Sequence, residues 1–180
     1  MKVSPLIENL TSEHRSMNSS HSAVFVPVLH GTFYRAIDSR FMDHAITGSR
    51  SAGRYSRPDE PTLYLSSSID GVEAALIAHN DARSSSRAIL EIEVEATGIV
   101  DLRSASALKE LGIDIADAVA PWQDVATLGG TPRSWIVRDR LIEVGANGLI
   151  DPSRKRPGLW HLVLFRWNDG DGPSVRVVGT

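Results

Sequence analysis

The sequence predicts an α+β domain, and three stretches predict it. Ile89–Glu95 alternates, with Leu90, Ile92 and Val94 on one side and Glu91, Glu93 and Glu95 on the other. That is the period of a half-buried antiparallel strand. Leu159–Trp167 is nearly unbroken apolar, as a central strand buried on both faces would be. Thr131-Pro132 opens a segment whose Val137, Leu141 and Val144 recur at helical spacing, with Gly145 just beyond its end. Both kinds of element in a chain of 180 residues without internal repeats read as one mixed domain, a bent sheet with two or three flanking helices.

From the N-terminus, residues 1–22 are polar and rich in Ser, His and Asn, and read as a loosely ordered arm or a short helix ending near Leu10, ahead of a single domain over 23–180. Ala23–Leu29 is a short β-type run interrupted by Pro27, which suits an edge or a strand entry. Thr32–Ile37 reads as a strand that delivers Arg35. SRFMDHAI is ambivalent, and no regular structure is expected from Gly48 to Pro61. Thr62–Ser66 is the next strand, followed by a helix over Ile69–Asp81 with Ser68 or Asp70 at its cap. After the loop ARSSSR and the alternating strand comes a short strand at Gly98–Leu102. A helix over Ser104–Leu111 is then stopped by Gly112. Residues 113–130 are helical or irregular. Beyond the Thr131-Pro132 helix, Asn147–Asp151 is a short strand, and Ser174–Val178 closes the sheet.

Composition excludes several classes of function. A hydrophobic share of 42% and a charged share of 23% are ordinary for a globular domain. A formal charge of −3 argues against a sequence-independent nucleic-acid binder, which carries a basic surplus. The chain has no cysteine, so disulfides and thiolate metal sites are excluded and a reducing cytoplasm fits. No apolar run approaches the ~20 residues of a membrane span, and MKVSPLIENLTSEH turns polar too early for a signal peptide. The six histidines show no metal-binding spacing, and neither GxxxxGK[ST] nor GxGxxG after a strand occurs. His161, inside an apolar strand, reads as a hydrogen-bonded core histidine.

The chemistry concentrates in Gly48–Leu76. A Gly/Ser loop carries Arg50, Arg54 and Arg57, a strand follows with Tyr64 at its middle, and a helix then presents Glu73. Guanidinium groups on a small-residue loop suit phosphate, because the planar fork offers parallel donors to phosphate oxygens. A tyrosine and a carboxylate just beyond supply a stacking surface and a negative charge, the set that a nucleotide with a cationic leaving group needs. At ~100° per residue, Ile69, Val72, Leu76 and Ile77 define an apolar helix face, with Glu73 only about 40° from Ile69. An inward carboxylate is costly unless paired or functional; the alternative is a shifted helix that leaves Glu73 in solvent. Arg35, with no neighbouring acid, is either solvated or bound to an anion. Tyr64 is a core aromatic, a ligand surface, or both. Ser153, in the turn DPSR, is a turn residue or a ligand contact, and Arg50, Arg57 and the cluster Arg154, Lys155, Arg156 read as solvated.

Taken in order, FYRAI, GRYS, LYLS and DPSR followed by WHLVLF resemble the RES-domain toxins of bacterial toxin–antitoxin pairs, from about Phe33 to Trp167. The resemblance implies an ADP-ribosyltransferase-like fold and a toxin that cleaves NAD+ between nicotinamide and ribose. The acceptor of the ADP-ribosyl group would be water, phosphate or a target protein. It implies that Arg35 and Arg54 clamp the pyrophosphate, that Tyr64 lies against the nicotinamide end and that Ser153 contacts ribose or phosphate. It implies an Xre-type helix-turn-helix antitoxin as partner, blocking a cleft with Arg35, Arg50, Arg54 and Arg57 near its mouth. The chain departs from the family at one point: the usual glutamate position is Ala75. Either Glu73 replaces it as the catalytic carboxylate, or the carboxylate is absent and the chain is a non-catalytic nucleotide-binding or interaction module. The helical wheel favours Glu73.

Overall fold

The computed structural model describes residues 24–79 and 87–178, with side-chain environments omitted for 77–79. The polar arm over 1–22 and most of the ARSSSR loop lie outside the described residues. Among the described residues, eight strands form one sheet: β1 (Phe25–Val26), β2 (Leu29–Asp38), β3 (Leu63–Ser66), β4 (Arg87–Ala96), β5 (Ile99–Asp101), β6 (Gly148–Pro152), β7 (Trp160–Leu164) and β8 (Ser174–Val177). Their order is β1-β5-β6-β7-β3-β2-β4-β8, antiparallel throughout except for the parallel pair β5–β6. The helices are α1 (Ile69–His79), α2 (Ala105–Leu111), α3 (Ile115–Val119), α4 (Gln123–Thr127) and α5 (Arg133–Glu143), with a 3-10 segment at Ser39–His44.

The α+β class and the bent mixed sheet are as the sequence predicts, and the reason for the bend is visible in the core. On one face Phe33, Leu63, Leu65, Ile92, Val94, Ile99, Ile150, Leu162 and Leu164 share one cluster. Ile99 lies near one end of the strand order and Val94 near the other, so the sheet bends round this cluster. The two-residue link Thr97-Gly98 connects β4 to β5 across that bend. Alternate residues of the same strands, Val100, Leu149 and Val163, face the second cluster, where Leu111, Ala118, Val137 and Leu141 bring α2, α3 and α5 onto the sheet. Burial on both faces is why Leu159–Trp167 reads as unbroken apolar.

Local signals set most boundaries. Pro27 separates β1 from β2, and β1 is indeed an edge. The Ser68 hydroxyl accepts from Gly71 N at 3.1 Å and starts α1. Ser104 caps α2, which ends at Gly112 in the left-handed conformation, φ 63°. The start of α5 differs from the expectation. Pro132, with extended ψ of 142°, occupies the cap itself, no side chain caps the helix, and Thr131 lies outside it. Residues 113–130 resolve into two short helices joined at Pro121.

Candidate active site

The arginine loop has no regular secondary structure, yet it is held at many points. Gly53 N donates to Ser56 O at 2.9 Å, closing a tight turn that carries Arg54 and Tyr55 at its tip. Successive residues of α5 fasten that turn. The Ser134 hydroxyl donates to Arg54 O at 2.5 Å and Trp135 Nε1 to Gly53 O at 2.8 Å. Arg138 Nη1 reaches Glu60 at 2.8 Å, and Asp139 accepts both arms of Arg57 at 2.8 and 2.6 Å. From β3, the Tyr64 hydroxyl accepts from Tyr55 N at 3.1 Å and lies 3.1 Å from Ser56 Oγ. A β-carbon on Gly53 would stand 2.7 Å from Tyr64 Oη and 2.8 Å from Ser56 Oγ, so only glycine fits where loop and tyrosine meet.

This turn forms one wall of a cleft of about 360 Å³. Arg54 is 8% exposed, and its Nη1 donates to Ala118 O and Ala120 O, both at 2.8 Å, around the C-terminus of α3. Its Nε and Nη2 have no partner among the described residues and are not sealed from the cleft. Burial, and then repulsion from Arg154, push its pKa down, the direction expected of a cation short of counter-charge. Arg35 lines the cleft at its margin. Alternation puts it on the Phe33 side of β2, opposite Tyr34 and Ala36, and β2 joins β3 only at Tyr34↔Ser66, so the sheet opens beside it. Its Nη1 donates to Ala45 O at 2.6 Å, and burial lowers its pKa.

The cleft floor is a row of cross-strand partners. Asp151 on β6 faces His161 on β7, His161 faces Ser66 on β3, and Ser66 faces Tyr34 on β2. Directly paired residues share a sheet face, and all four line the cleft. Tyr64, two residues before Ser66, lies on the same face and also packs against the second core cluster, so its ring serves both core and cleft. Burial raises the pKa of its hydroxyl. Ser153 follows Asp151 into the cleft wall; its N–H donates to Leu159 O at 2.8 Å and its Oγ accepts from Arg156 N at 3.3 Å. His161 is half-buried, with Nδ1 3.1 Å from Ser66 Oγ, and burial together with Arg154 lowers its pKa.

Four of the five residues expected at the site, Arg35, Arg54, Tyr64 and Ser153, therefore line one cleft. Glu73 does not. It is exposed and absent from the cleft wall, whereas Val72, Ala74, Ala75 and Leu76 line it. The wheel took Ile69 for a core residue, but Ile69 sits in the first turn and is 47% exposed. The buried arc is centred near Ala75 instead, and Glu73, two residues away, points about 160° from it. Arg50 and Arg57 also fall outside the cleft, Arg57 being engaged by Asp139; the basic lining is Arg35, Arg54, Arg154 and Lys155. Asp151, outside the residues expected at the site, gains its place in the cleft from strand register, which nothing local in GLID shows. Among the described residues, no group of three or more His, Cys, Asp or Glu could hold a metal ion, and no helix is long and apolar enough to cross a membrane.

Comparison with known proteins adds three findings. The family model of the RES domain matches residues 32–180. Curated protein sequences give no match. Among solved structures, the chain is similar to one in the crystal structure of the M. tuberculosis MbcT–MbcA toxin–antitoxin complex. The TM-score is 0.57 at 17% identity, with 89% of this chain and 90% of that chain covered. At that identity the likeness is one of fold.

Proposed function

The chain belongs to the RES domain family, and on that footing we propose that it is the toxin of a toxin–antitoxin pair, binding NAD+ in the cleft and cleaving the nicotinamide–ribose bond. The observation that carries this reading is Arg54. A guanidinium 8% exposed, with open donors toward a cleft and no carboxylate in contact among the described residues, is costly unless a ligand supplies the anion. A pyrophosphate supplies it, with Arg154 and Lys155 adding charge to the lining and Arg35 adding charge at the cleft margin.

The remaining lining suits the other parts of a dinucleotide. Tyr34 and Tyr64 offer aromatic surface to the nicotinamide, and the Ser153 hydroxyl can bond a ribose or phosphate oxygen. Fastening of the 53–60 turn to α5 and Tyr64 means these donors need little rearrangement when substrate binds, which favours catalysis by positioning. No general acid is required, because the bound nicotinamide nitrogen already carries a positive charge and departs as a good, neutral leaving group. The acceptor of ADP-ribose is water, phosphate or a side chain of a target protein.

An enzyme that consumes NAD+ needs restraint in its own cell. We extend the proposal to an Xre-type antitoxin that inserts a side-chain or terminal carboxylate among the cleft arginines and competes with NAD+. A second reading, a nucleotide-binding module without catalysis, draws on the exposure of Glu73 and on alanine at position 75. Incubation of the purified chain with NAD+ separates the two: nicotinamide release supports the enzyme, and binding without release supports the module. Free ADP-ribose, its phosphate or a labelled protein identifies the acceptor.

A further inference from the structure

We propose that Asp151 is the catalytic carboxylate of this chain, set against the ribose to stabilise the positive charge that develops as nicotinamide leaves; this rests on the NAD+-cleaving reading. Among the described residues it is the one carboxylate that lines the cleft. The cross-strand row Asp151–His161–Ser66–Tyr34 fixes it on the cleft face of β6, two residues before Ser153.

Its two oxygens are differently placed. Oδ1 accepts from the Tyr55 hydroxyl at 2.7 Å, and Tyr55 is wholly buried, so the carboxylate is held in one orientation. Oδ2 has no hydrogen-bond partner among the described residues and is not sealed from the cleft. No cation stands in salt-bridge contact with Asp151, although Arg54 and Arg154 act on it from further away. A carboxylate in a bidentate ion pair would have its charge neutralised in advance. This one is oriented, largely dehydrated and left with an open oxygen. Burial raises its pKa, which shows the ionic form lacking full compensation, a deficit that a nearby cation would relieve.

The reaction balances without a bond to the protein. The ribose C1′–N bond breaks and both electrons leave on the nicotinamide nitrogen, which departs neutral. The positive charge then lies on C1′ and the ring oxygen, beside Asp151. An oxygen nucleophile, water in the simplest case, adds to C1′ and loses its proton to solvent. Asp151 gives up no proton and accepts none. Ala75, at the centre of the inward arc of α1, brings no carboxylate to the cleft lining.

The test compares Asp151→Asn, Glu73→Gln and wild type for nicotinamide release, NAD+ affinity and melting temperature. The amide oxygen of Asp151→Asn can still accept from Tyr55, so the fold should hold while the charge is lost. We expect turnover to fall about 10²–10³-fold, the usual loss when one preorganised charge-stabilising group is removed, with Kd for NAD+ changed less than about threefold. Glu73→Gln should retain the wild-type rate. Tyr55→Phe, which leaves the charge but frees its orientation, should lose less turnover than Asp151→Asn. Wild-type turnover in folded Asp151→Asn, or a comparable loss in Glu73→Gln, would overturn the assignment while leaving the NAD+-cleaving reading intact. A folded wild-type chain that binds NAD+ and releases no nicotinamide would overturn both.

Discussion

Substituting Gly53 by alanine tests the junction on which the cleft is built. The new methyl would lie 2.7 Å from Tyr64 Oη and 2.8 Å from Ser56 Oγ, with the ring carbon bearing the hydroxyl at 3.2 Å. Tyr64 cannot simply swing away, because its ring packs in the core and its hydroxyl is tied to Tyr55 N and Ser56 Oγ. Displacing it breaks two hydrogen bonds of ~0.5–1.5 kcal/mol each and adds overpacking of ~1–3 kcal/mol. The sum is about 2–6 kcal/mol, a fall of about 4–24 °C in melting temperature for a domain of this size. Arg54, the next residue, moves with the turn, so NAD+ affinity falls as well. Tyr64→Phe removes the nearest obstacle and leaves the Ser56 hydroxyl free to rotate. The double variant should therefore be more stable than the sum of the singles by about 1 kcal/mol or more. Thermal and urea unfolding of all four proteins measure this; costs that add within ~0.5 kcal/mol would refute the proposed contact.

Arg35→Lys and Arg54→Lys keep the charge but lose the planar fork; each should weaken NAD+ binding by ~1.5–3 kcal/mol per charged hydrogen bond lost. Unchanged affinity by calorimetry would return that arginine to a structural role. Burial depresses the folded pKa of His161 below 6.5, so its stabilising contribution is complete above pH 6.5 and is lost as pH falls toward the folded value. Melting temperatures between pH 7.5 and 5.5 should decline less for His161→Gln than for wild type; Asp101 and Asp139, with pKa values lowered on balance by their arginine partners, lose stability only at more acidic pH. Asp151, raised by burial, acts in the opposite sense and is common to both proteins. On the antitoxin reading, a co-expressed Xre-type antitoxin should co-purify and displace NAD+. Trimming its inserted segment should restore toxicity while contact persists, and simultaneous binding of NAD+ and partner would exclude occlusion.

The strands were legible because their sequence patterns have structural causes. Glu91, Glu93 and Glu95 alternate with residues facing the interior of a folded sheet, and Leu162–Leu164 is apolar because both faces are covered. Arg54, Tyr64 and Ser153 could be placed at a site because loop, strand and turn chemistry leave a ligand role open to each and the resemblance to RES-domain proteins assigns it. Asp151 and His161 could not, since their significance comes from register: only pairing of β6 with β7 and of β7 with β3 brings Asp151, His161 and Ser66 into one row. Glu73 shows the limit of a helical wheel. The inner face inferred from Ile69, Val72, Leu76 and Ile77 is turned by about 120°, a third of a turn, from the face that lines the cleft, and the exposure of Ile69 marks the error. Likewise, nothing local in GSRSAGRYSRPDEP shows that Asp139 and Ser134, some eighty residues on, hold the loop in place.

The most direct test of the account is nicotinamide release by the purified chain supplied with NAD+ alone, with phosphate, and with cell lysate. The account predicts release under at least one of these conditions, suppressed in Arg54→Lys and Asp151→Asn. A folded chain that leaves NAD+ intact under all three would contradict it.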